Sequence, residues 1–268
     1  MPDVRVIPRA QSYSFIVGLQ KLKKVRKKAL VTGGARRLGK HICLGLAEIG
    51  FDVAFTYNST PSSVLSKTLN DLSKFDVSVI PIKCNSTNVG EIRDALRIVK
   101  KSFGKLDVLV NNAAIFRKVD FFDITEKVFD EFINTNLRSV LFFSQYAAKL
   151  MLSNKESPTR IINISSMGAY ENWTGFIPYS VSKAGVVKLT ELMAKKLAPS
   201  IIVNSIAPGT IIIGDDKNEN VNLADEKKYP MKRFGNTEDI VSLVKYLSAN
   251  NEFITGQTFK VDGGKSLS

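Results

Sequence analysis

Residues 29–40 read Ala-Leu-Val-Thr-Gly-Gly-Ala-Arg-Arg-Leu-Gly-Lys, and this stretch decides the fold. A short apolar run, typical of a β-strand, passes through a glycine-rich turn into the start of a helical pattern. Glycines let the backbone turn tightly and approach a pyrophosphate, whose negative charge is stabilised at a helix N-terminus. Many glycine-rich turns only connect two elements, so the interpretation depends on the strands and helices that follow.

Strands and helices alternate along the rest of the chain. Continuous apolar runs predict strands at residues 29–32, 53–57, 77–83, 106–111, 160–165, 201–207 and 258–262. Helical patterns lie between them, at residues 38–49, 62–73, 89–103, 126–152, 179–197 and 238–249. Regular alternation builds βαβ units with right-handed crossovers, and apolar runs suit parallel strands covered on both faces. The sequence therefore predicts one α/β domain: a single doubly wound parallel sheet (a Rossmann fold) with helices on both faces.

The composition excludes several classes of protein. Of the 268 residues, 44% are hydrophobic, which is too many for a disordered chain, and no apolar run is long enough to span a bilayer. Cys43, Cys84 and His41 are the only cysteines and histidine, too few for a four-ligand zinc site. A hydrolase with a Ser-His-Asp triad would have to use His41, the one histidine of the sequence, as its general base, and this argues against that class. We expect a cytoplasmic protein that binds no metal. Its cysteines would be buried in the fold and stay reduced, because the cytoplasm is a reducing compartment.

The net charge of +13 is concentrated near the first residues. Residues 1–28 contain eight Lys or Arg and one Asp. Clustered basic residues attract nucleic acid and anionic lipid, and a targeting segment or a translation start placed too far upstream would look the same. We favour an extended, solvated leader, and so expect neither a nucleic-acid nor a membrane partner. The predicted boundaries are a basic tail over residues 1–27 and the folded domain over residues 28–268.

The end of the second predicted strand indicates which nucleotide the turn would bind. Doubly wound folds that bind NAD place an acid about 20 residues beyond the turn, where it bonds the ribose 2′-hydroxyl. Residues 57–60 are instead Tyr-Asn-Ser-Thr, and Asp52 lies at the opposite end of the strand. Arg36 and Arg37, within the turn, suit a 2′-phosphate, which a guanidinium binds in bidentate fashion. The sequence predicts NADP(H) in preference to NAD(H).

Tyr179 and Lys183 lie four residues apart in a predicted helix, so they share one face of it. A lysine ammonium near a phenol favours the phenolate and lowers the phenol's pKa from about 10, which makes it a usable acid or base. Ser166 and Asn112 each follow a predicted strand. Because the carboxyl ends of parallel strands meet at the edge where ligands bind, we expect these side chains to lie close together.

The order of these motifs resembles the short-chain dehydrogenase/reductase family, from about Lys28 to Gly264. The matching motifs are the glycine-rich turn, Asn111-Asn112-Ala113, Asn136, Ser166, Tyr179-x-x-x-Lys183 and Pro208-Gly209. The resemblance implies an oxidoreductase that reduces a carbonyl to an alcohol by hydride transfer. In it Tyr179 would be the general acid, and Ser166 would hydrogen-bond the substrate oxygen. Lys183 would lower the tyrosine pKa and bind the nicotinamide ribose, and Asn136 would hold a proton-relay water.

The same resemblance implies which residues contact the cofactor. On the adenosine and pyrophosphate side they are Gly33, Arg36, Arg37, Leu38, Gly39, Asn58, Ser59, Asn85, Ser86, Asn112, Ala113 and Ala114. On the nicotinamide side they are Tyr179, Lys183, Pro208, Gly209 and Ile211. The resemblance also implies a homotetramer in which the helices at residues 126–152 and 179–197 pair across subunits.

Two subfamilies compete for the substrate. Residues 161–166 and 179–185 are similar to 3-oxoacyl-(acyl carrier protein) reductases, which implies a 3-oxoacyl thioester on a carrier protein or a related small ketone. Arg37 and the segment over residues 260–264 are similar to pteridine reductases, although those enzymes commonly carry an aspartate in place of Ser166. A non-catalytic nucleotide-binding protein is a third hypothesis, and the complete set of Asn136, Ser166, Tyr179 and Lys183 argues against it.

Two further features are expected close to this site. The polar connection at residues 209–230 follows the carboxyl end of a strand, as lids over active sites often do. Phe116, Trp173 and Phe176 follow segments of the site. They are candidates for the wall of a substrate pocket, and ordinary core packing is the alternative for all three.

Overall fold

Parallel strands form one sheet at the centre of the protein. The computed structural model describes residues 26–153, 158–214 and 223–267. Within these residues the strands are β1 Lys28–Val31, β2 Asp52–Tyr57, β3 Val79–Lys83, β4 Val108–Asn111, β5 Thr159–Ile164, β6 Ile201–Pro208 and β7 Thr258–Val261. They lie in the order β3-β2-β1-β4-β5-β6-β7, and every neighbouring pair is parallel. The predicted single doubly wound sheet is confirmed, and its strand order reverses between β1 and β4.

Helices fill the connections between the strands. They are α1 Arg37–Glu48, α2 Ser62–Leu72, α3 Val89–Phe103, α4 Glu126–Ile133, α5 Ser139–Met151, α6 Ile177–Leu197 and α7 Thr237–Ala249. A π-helical segment, Asn134–Arg138, joins α4 to α5, so the helix predicted over residues 126–152 is continuous but has one wider turn. Short 3-10 helices at Met167–Ala169 and Thr174–Phe176 lie between β5 and α6.

Alternate residues of each strand pack into two apolar layers, one on each face of the sheet. Val31 and Val110 belong to the layer that contains residues of α1 and α7. Leu30 and Leu109 belong to the layer that contains residues of α3, α5 and α6. Burial of each such aliphatic side chain stabilises the folded state by about 1.5–3 kcal/mol. Cover on both faces therefore explains why the strands are continuous apolar runs.

Charged side chains close the amino edge of the sheet, opposite the edge of the predicted site. The Asp52 carboxylate pairs with the Lys28 ammonium and accepts a hydrogen bond from the Ser78 amide at 2.7 Å. The buried Arg160 donates from Nε and Nη2 to the Asn251 carbonyl at 3.1 and 2.8 Å. Asp52 therefore belongs to the framework of the sheet and lies away from the edge of the predicted site, as its position in the strand predicts.

Two predictions concern residues outside the described ranges. Of the basic tail, the structure describes only Arg26 and Lys27, and Arg26 pairs with Asp76 at 2.5 Å. The middle of the predicted lid, residues 215–222, also lies outside. Among the described helices, none has both the length and the apolar character that crossing a membrane requires.

Candidate active site

The predicted site residues come from segments at the carboxyl ends of the strands. The glycine-rich turn follows β1, residues 112–114 follow β4, Ser166 follows β5, and Pro208 is the last residue of β6. Parallel strands place all these ends at one edge of the sheet, next to the point where the strand order reverses. The topology therefore brings the predicted residues to one edge from well-separated parts of the sequence.

The glycine-rich turn is so tight that its glycines are required by packing. Gly33 has a φ of +65°, a conformation that glycine adopts without strain. A Cβ at Gly39 would lie 2.1 Å from the Gly33 carbonyl oxygen, and a Cβ at Gly34 would lie 2.5 Å from Cβ of Phe55. The first turn of α1 is thereby held against the end of β1.

Thr32 joins this turn to the end of β4. Its Oγ1 accepts hydrogen bonds from the amides of Asn112 and Ala113 at 2.9 and 3.0 Å. In return, Nδ2 of Asn112 donates to the carbonyls of Thr32 and Gly33 at 3.0 and 3.2 Å. Asn112 therefore shapes the turn. Sequence reasoning did not single out Thr32; its position directly before the glycines, with a hydroxyl at the strand end, was the available signal.

The arginines of the turn occupy the N-terminus of α1. Arg36 is the N-cap residue, its side chain makes no capping hydrogen bond, and both Arg36 and Arg37 are exposed. Arg37 has a φ of +53°, a strained conformation for a residue with a side chain. Asn58 and Ser59 are exposed immediately after β2, the strand beside β1. An uncapped helix N-terminus with two neighbouring guanidinium groups suits an anion.

Asn85 and Ser86 follow β3, the outermost strand on the same side. Oδ1 of Asn85 accepts hydrogen bonds from the amide and the hydroxyl of Thr87 at 3.1 and 2.9 Å. The Asn85 amide donates to Glu91 at 2.8 Å. Any hydrogen bond that Asn85 donates to a bound adenine must therefore come from its Nδ2.

Tyr179 and Ser166 meet at the centre of the edge. Tyr179 lies in the first turn of α6 and is 9% exposed, and its hydroxyl is hydrogen-bonded to that of Ser166. The Ser166 hydroxyl is itself positioned by the Gly168 amide, which donates to it at 3.0 Å. Burial raises the pKa of Tyr179 to about 12, and the hydrogen bond with Ser166 opposes that rise. The phenol is therefore fully protonated at neutral pH.

Lys183 lies one turn further along α6, beside the same tyrosine. Its Nζ donates to the Ile164 carbonyl at 2.7 Å and lies 5.7 Å from the centre of the Tyr179 ring. Burial lowers the pKa of Lys183 to about 8. The net direction of the tyrosine pKa in this structure is set by burial and is upward, whereas the lysine was predicted to lower it. The ammonium points to the carbonyl end of β5, and desolvation dominates both pKa values.

Asn136 lies inside the π-helical segment and is fully buried. Its Oδ1 accepts from the Ile115 amide at 2.8 Å, and its Nδ2 donates to the Ile115 carbonyl at 3.0 Å and to the Ser182 hydroxyl at 3.1 Å. The Ser182 hydroxyl in turn donates to the Tyr179 carbonyl at 2.6 Å. Asn136 thus links the segment after β4 to the helix that carries the tyrosine. Single π turns of this kind are frequent at functional sites.

Aromatic rings surround Tyr179 on the open side of the edge. The Trp173 ring is parallel to the Tyr179 ring with centroids 6.4 Å apart, and the Phe116 ring meets it edge-on at 4.8 Å. Phe116 also stacks on Phe176 at 4.7 Å and is 58% exposed. A large apolar side chain that is both exposed and in contact with the tyrosine is placed as the wall of a substrate pocket would be.

The segment that follows β6 packs against the end of β7. The Gly209 amide donates to the Val261 carbonyl at 2.9 Å, and a Cβ at Gly209 would lie 2.9 Å from Cα of Asp262. Ile211 forms an isolated bridge with Gly235, and Pro208 is partly buried. The chain that leaves β6 is therefore held close to the end of β7, and glycine at position 209 is what allows the approach.

Three comparisons place the chain among known proteins. A family model described as Enoyl-(Acyl carrier protein) reductase matches residues 33–266. A 3-oxoacyl-[acyl-carrier-protein] reductase of Staphylococcus aureus is 37% identical over 250 residues, which cover 90% of this chain and 98% of that protein. One of Synechocystis is 34% identical, with 88% of this chain and 95% of that protein covered.

Solved structures agree with these matches. A short-chain dehydrogenase/reductase of Serratia marcescens has a TM-score of 0.81 at 32% identity, covering 90% of this chain and 98% of that one. A short-chain type dehydrogenase/reductase of Mycobacterium marinum has a TM-score of 0.82 at 31% identity, covering 90% and 96%. The family model, the relatives and the solved structures all match the same part of the sequence. The chain therefore belongs to the short-chain dehydrogenase/reductase family of oxidoreductases.

Proposed function

We propose that this protein is an NADP(H)-dependent reductase that converts the ketone of a 3-oxoacyl thioester into an alcohol. The observation that carries the proposal is the buried pair of hydroxyls, Ser166 and Tyr179, with the Lys183 ammonium beside them. A pair of hydroxyls suits an oxygen atom that gains negative charge, which favours a carbonyl over a carbon–carbon double bond. The relatives named 3-oxoacyl-[acyl-carrier-protein] reductase support this substrate class.

In the proposed reaction the chain's own residues bind the oxygen and deliver a proton. The Ser166 hydroxyl donates a hydrogen bond to the substrate carbonyl oxygen and orients it towards Tyr179. When bound, the cofactor supplies the hydride that reduces the carbonyl carbon. As the carbonyl π bond breaks, Tyr179 transfers its hydroxyl proton to the oxygen, which completes the alcohol. The Lys183 ammonium stabilises the phenolate that remains, and solvent then restores the proton.

The residues present fit a dinucleotide at this edge. The N-terminus of α1, which lacks a side-chain cap, and the tight turn at Gly33 and Gly39 would hold the pyrophosphate. An ammonium has three donors, and Lys183 uses one for the Ile164 carbonyl. The others are available to ribose hydroxyls. The remaining proposed cofactor contacts are Leu38, Asn58, Ser59, Asn85, Ser86, Asn112, Ala113, Ala114, Pro208, Gly209 and Ile211.

Arg37 is proposed to select NADPH through the 2′-phosphate. Arg37→Gln is expected to weaken NADPH binding by about 10–100-fold, the effect of losing a charge-assisted hydrogen bond, and to leave NADH binding nearly unchanged. Fluorescence titration of both cofactors measures this. Arg97→Gln, at an exposed position of α3, is the matched control. An equal loss for both cofactors, or no loss for NADPH, would contradict the assignment.

Reduction is expected to depend on pH through Lys183. Its pKa of about 8 means that the ammonium charge is present below that pH and is lost above it, whereas Tyr179, at about 12, stays protonated. We expect kcat/KM to be constant below about pH 8 and then to fall roughly tenfold per pH unit. A profile from about pH 6 to about pH 10 measures it. A constant value over the whole range contradicts the role of the charge.

The proposed activity is tested by mixing the protein with NADPH and acetoacetyl-coenzyme A. One NADPH should be oxidised for each 3-hydroxybutyryl thioester formed, and NADH should be a poorer donor. The absorbance of NADPH and chromatography of the product give the two quantities. Demonstrable NADPH binding without oxidation of NADPH would reject the 3-oxoacyl thioester as substrate.

A pteridine or dihydrofolate reductase-like activity is the second candidate, and Phe116 is the observation that favours it. Its exposed ring lies beside Tyr179, where it is able to stack on a flat heterocycle. Arg37 also favours this candidate, because it is similar to the pteridine reductases. Ser166 favours the ketone reductase, because pteridine reductases commonly carry an aspartate there. A dihydropterin in the same NADPH assay separates the two.

We propose a homotetramer as the assembly. Large apolar side chains stay exposed on the two helices that would pair across subunits, Leu141 on α5 and Val181 and Leu192 on α6. Their exposed fractions are 41%, 47% and 57%. Several exposed apolar residues on neighbouring helices are typical of a protein interface. An acyl carrier protein that presents the substrate is the further partner of this proposal.

A further inference from the structure

A cleft of about 540 Å³ opens beside the predicted active site, on the side of β7. Its lining residues are Tyr170, Glu171, Lys228, Lys260, Lys265 and Ser266, and we call it the lysine cleft. In the strand order, β7 lies at one end of the sheet, and the turn with Arg37 follows β1, which is four positions away. The lysine cleft is therefore separate from the proposed site of the cofactor phosphates.

The lysine cleft has an excess of positive charge. Nζ of Lys260 lies 4.6 Å from the centre of the Tyr170 ring, and Nζ of Lys265 lies 3.7 Å from Oε2 of Glu171. Lys228 pairs with Asp225 at 2.8 Å. Three of the six lining residues are therefore lysines, and one, Glu171, is acidic. Lysine ammonium groups bind phosphate as point charges, and a positive excess in a concave site attracts anions.

The lysine cleft is connected to the tyrosine by direct contacts. The same carboxylate oxygen that faces Lys265, Oε2 of Glu171, accepts a hydrogen bond from Nε1 of Trp173 at 2.5 Å. The Trp173 ring is in turn parallel to the ring of Tyr179. Side-chain contacts therefore run from the lysine cleft through Glu171 and Trp173 to Tyr179.

The loop that carries Lys265 is held rigidly. Asp262 is 8% exposed, and its carboxylate accepts hydrogen bonds from the amides of Gly264 and Ser266 at 3.0 and 2.9 Å. The carbonyl of the adjacent Val261 accepts a hydrogen bond from the Gly209 amide. The lysine is thus positioned by the same segment that supports the nicotinamide side of the proposed site, and little ordering is needed on binding.

We propose that the lysine cleft binds the phosphate of the pantetheine arm that carries the acyl thioester. This inference rests on the proposed function, because it concerns the carrier part of a 3-oxoacyl thioester. Acyl carrier proteins and coenzyme A both present acyl groups on phosphopantetheine, so the phosphate is the chemistry that the two sources share. The phosphate binds the ammonium groups, and the arm passes along Trp173 to bring the ketone to Tyr179.

The test compares two substrates that differ only in that phosphate, acetoacetyl-pantetheine and acetoacetyl-4′-phosphopantetheine. For the unmodified protein, kcat/KM is expected to be about tenfold higher with the phosphate, and the preference should decrease with ionic strength. In the double variant Lys228→Gln and Lys260→Gln, the ratio of the two kcat/KM values should fall close to one. The Kd of NADPH should stay unchanged. The double variant Lys100→Gln and Lys101→Gln removes the same charge from exposed positions of α3 and is the control.

Each outcome has a separate meaning. Reduction of both substrates with equal kcat/KM, or a ratio that the cleft variant leaves unchanged, overturns the lysine cleft as the phosphate site. A ratio that falls equally in the α3 variant also overturns it, because net charge alone would then explain the preference. Reduction of neither substrate rejects the proposed function itself. Acetoacetyl-coenzyme A and an acetoacetyl carrier protein, compared on the same variants, show which source gains more from the cleft.

Discussion

Tyr179→Phe is expected to lower the turnover of the ketone by about 10²–10⁴-fold, the usual contribution of a positioned general acid. The change removes one hydroxyl and keeps the ring that packs against Phe116 and Trp173. The free energy of unfolding should change by only about 1 kcal/mol, because a single buried hydrogen bond with Ser166 is lost. NADPH oxidation gives turnover, and thermal unfolding gives stability.

Tyr246→Phe is the control for this result, because Tyr246 is 45% exposed on α7 and belongs to no part of the site. It should reduce the ketone at the unmodified rate. If Tyr179→Phe retained the rate as well, the proton donor would be another group. If Tyr179→Phe abolished turnover but left the biological activity of the protein intact, a nucleotide-binding role without catalysis would be favoured.

Gly39→Ala is expected to prevent cofactor binding and to destabilise the fold. The added Cβ would lie 2.1 Å from the Gly33 carbonyl oxygen and 2.6 Å from Nδ2 of Asn112, so the turn has to open. Overpacking against backbone costs about 3 kcal/mol, which is a fall of roughly 10 °C in Tm for a domain of this size. Calorimetry measures the Tm, and fluorescence titration measures the NADPH affinity.

Ser102→Ala, at an exposed position of α3 away from the candidate site, is the control for Gly39→Ala. It is expected to leave Tm and NADPH affinity unchanged. A Gly39→Ala protein that binds NADPH with the original affinity would show that the cofactor does not lie on this turn.

Much of the fold was predictable because strands that are buried on both faces of the sheet appear in the sequence as continuous apolar runs. The apolar run at β6, predicted at residues 201–207, is found at Ile201–Pro208, and the helix predicted at residues 89–103 is found at Val89–Phe103. The π turn at Asn134–Arg138 was not predictable. One additional residue in a turn changes the hydrogen-bond register but hardly alters the apolar periodicity that a sequence displays.

The sequence predicts which side chains of the candidate site the fold brings together, but it does not predict their electrostatics. Spacing and strand ends suffice to bring Ser166, Tyr179 and Lys183 to one edge. Their pKa values depend on how deeply the fold buries them, and a sequence does not display that depth: burial raises the tyrosine pKa in this structure. Thr32 was missed because a threonine at the end of a strand is common, and only the folded structure shows which amides its hydroxyl accepts.

The hydrogen bond between Gly209 and Val261 has a consequence for the timing of biosynthesis. A ribosome has already translated the glycine-rich turn, the tyrosine and the lysine when it reaches position 209. The segment after β6, which would contact the nicotinamide, forms its hydrogen bond with β7 only later. That strand, Thr258–Val261, must first be synthesised and pair with β6. The nascent chain therefore completes this edge of the sheet in one late step, after residue 261 has been synthesised.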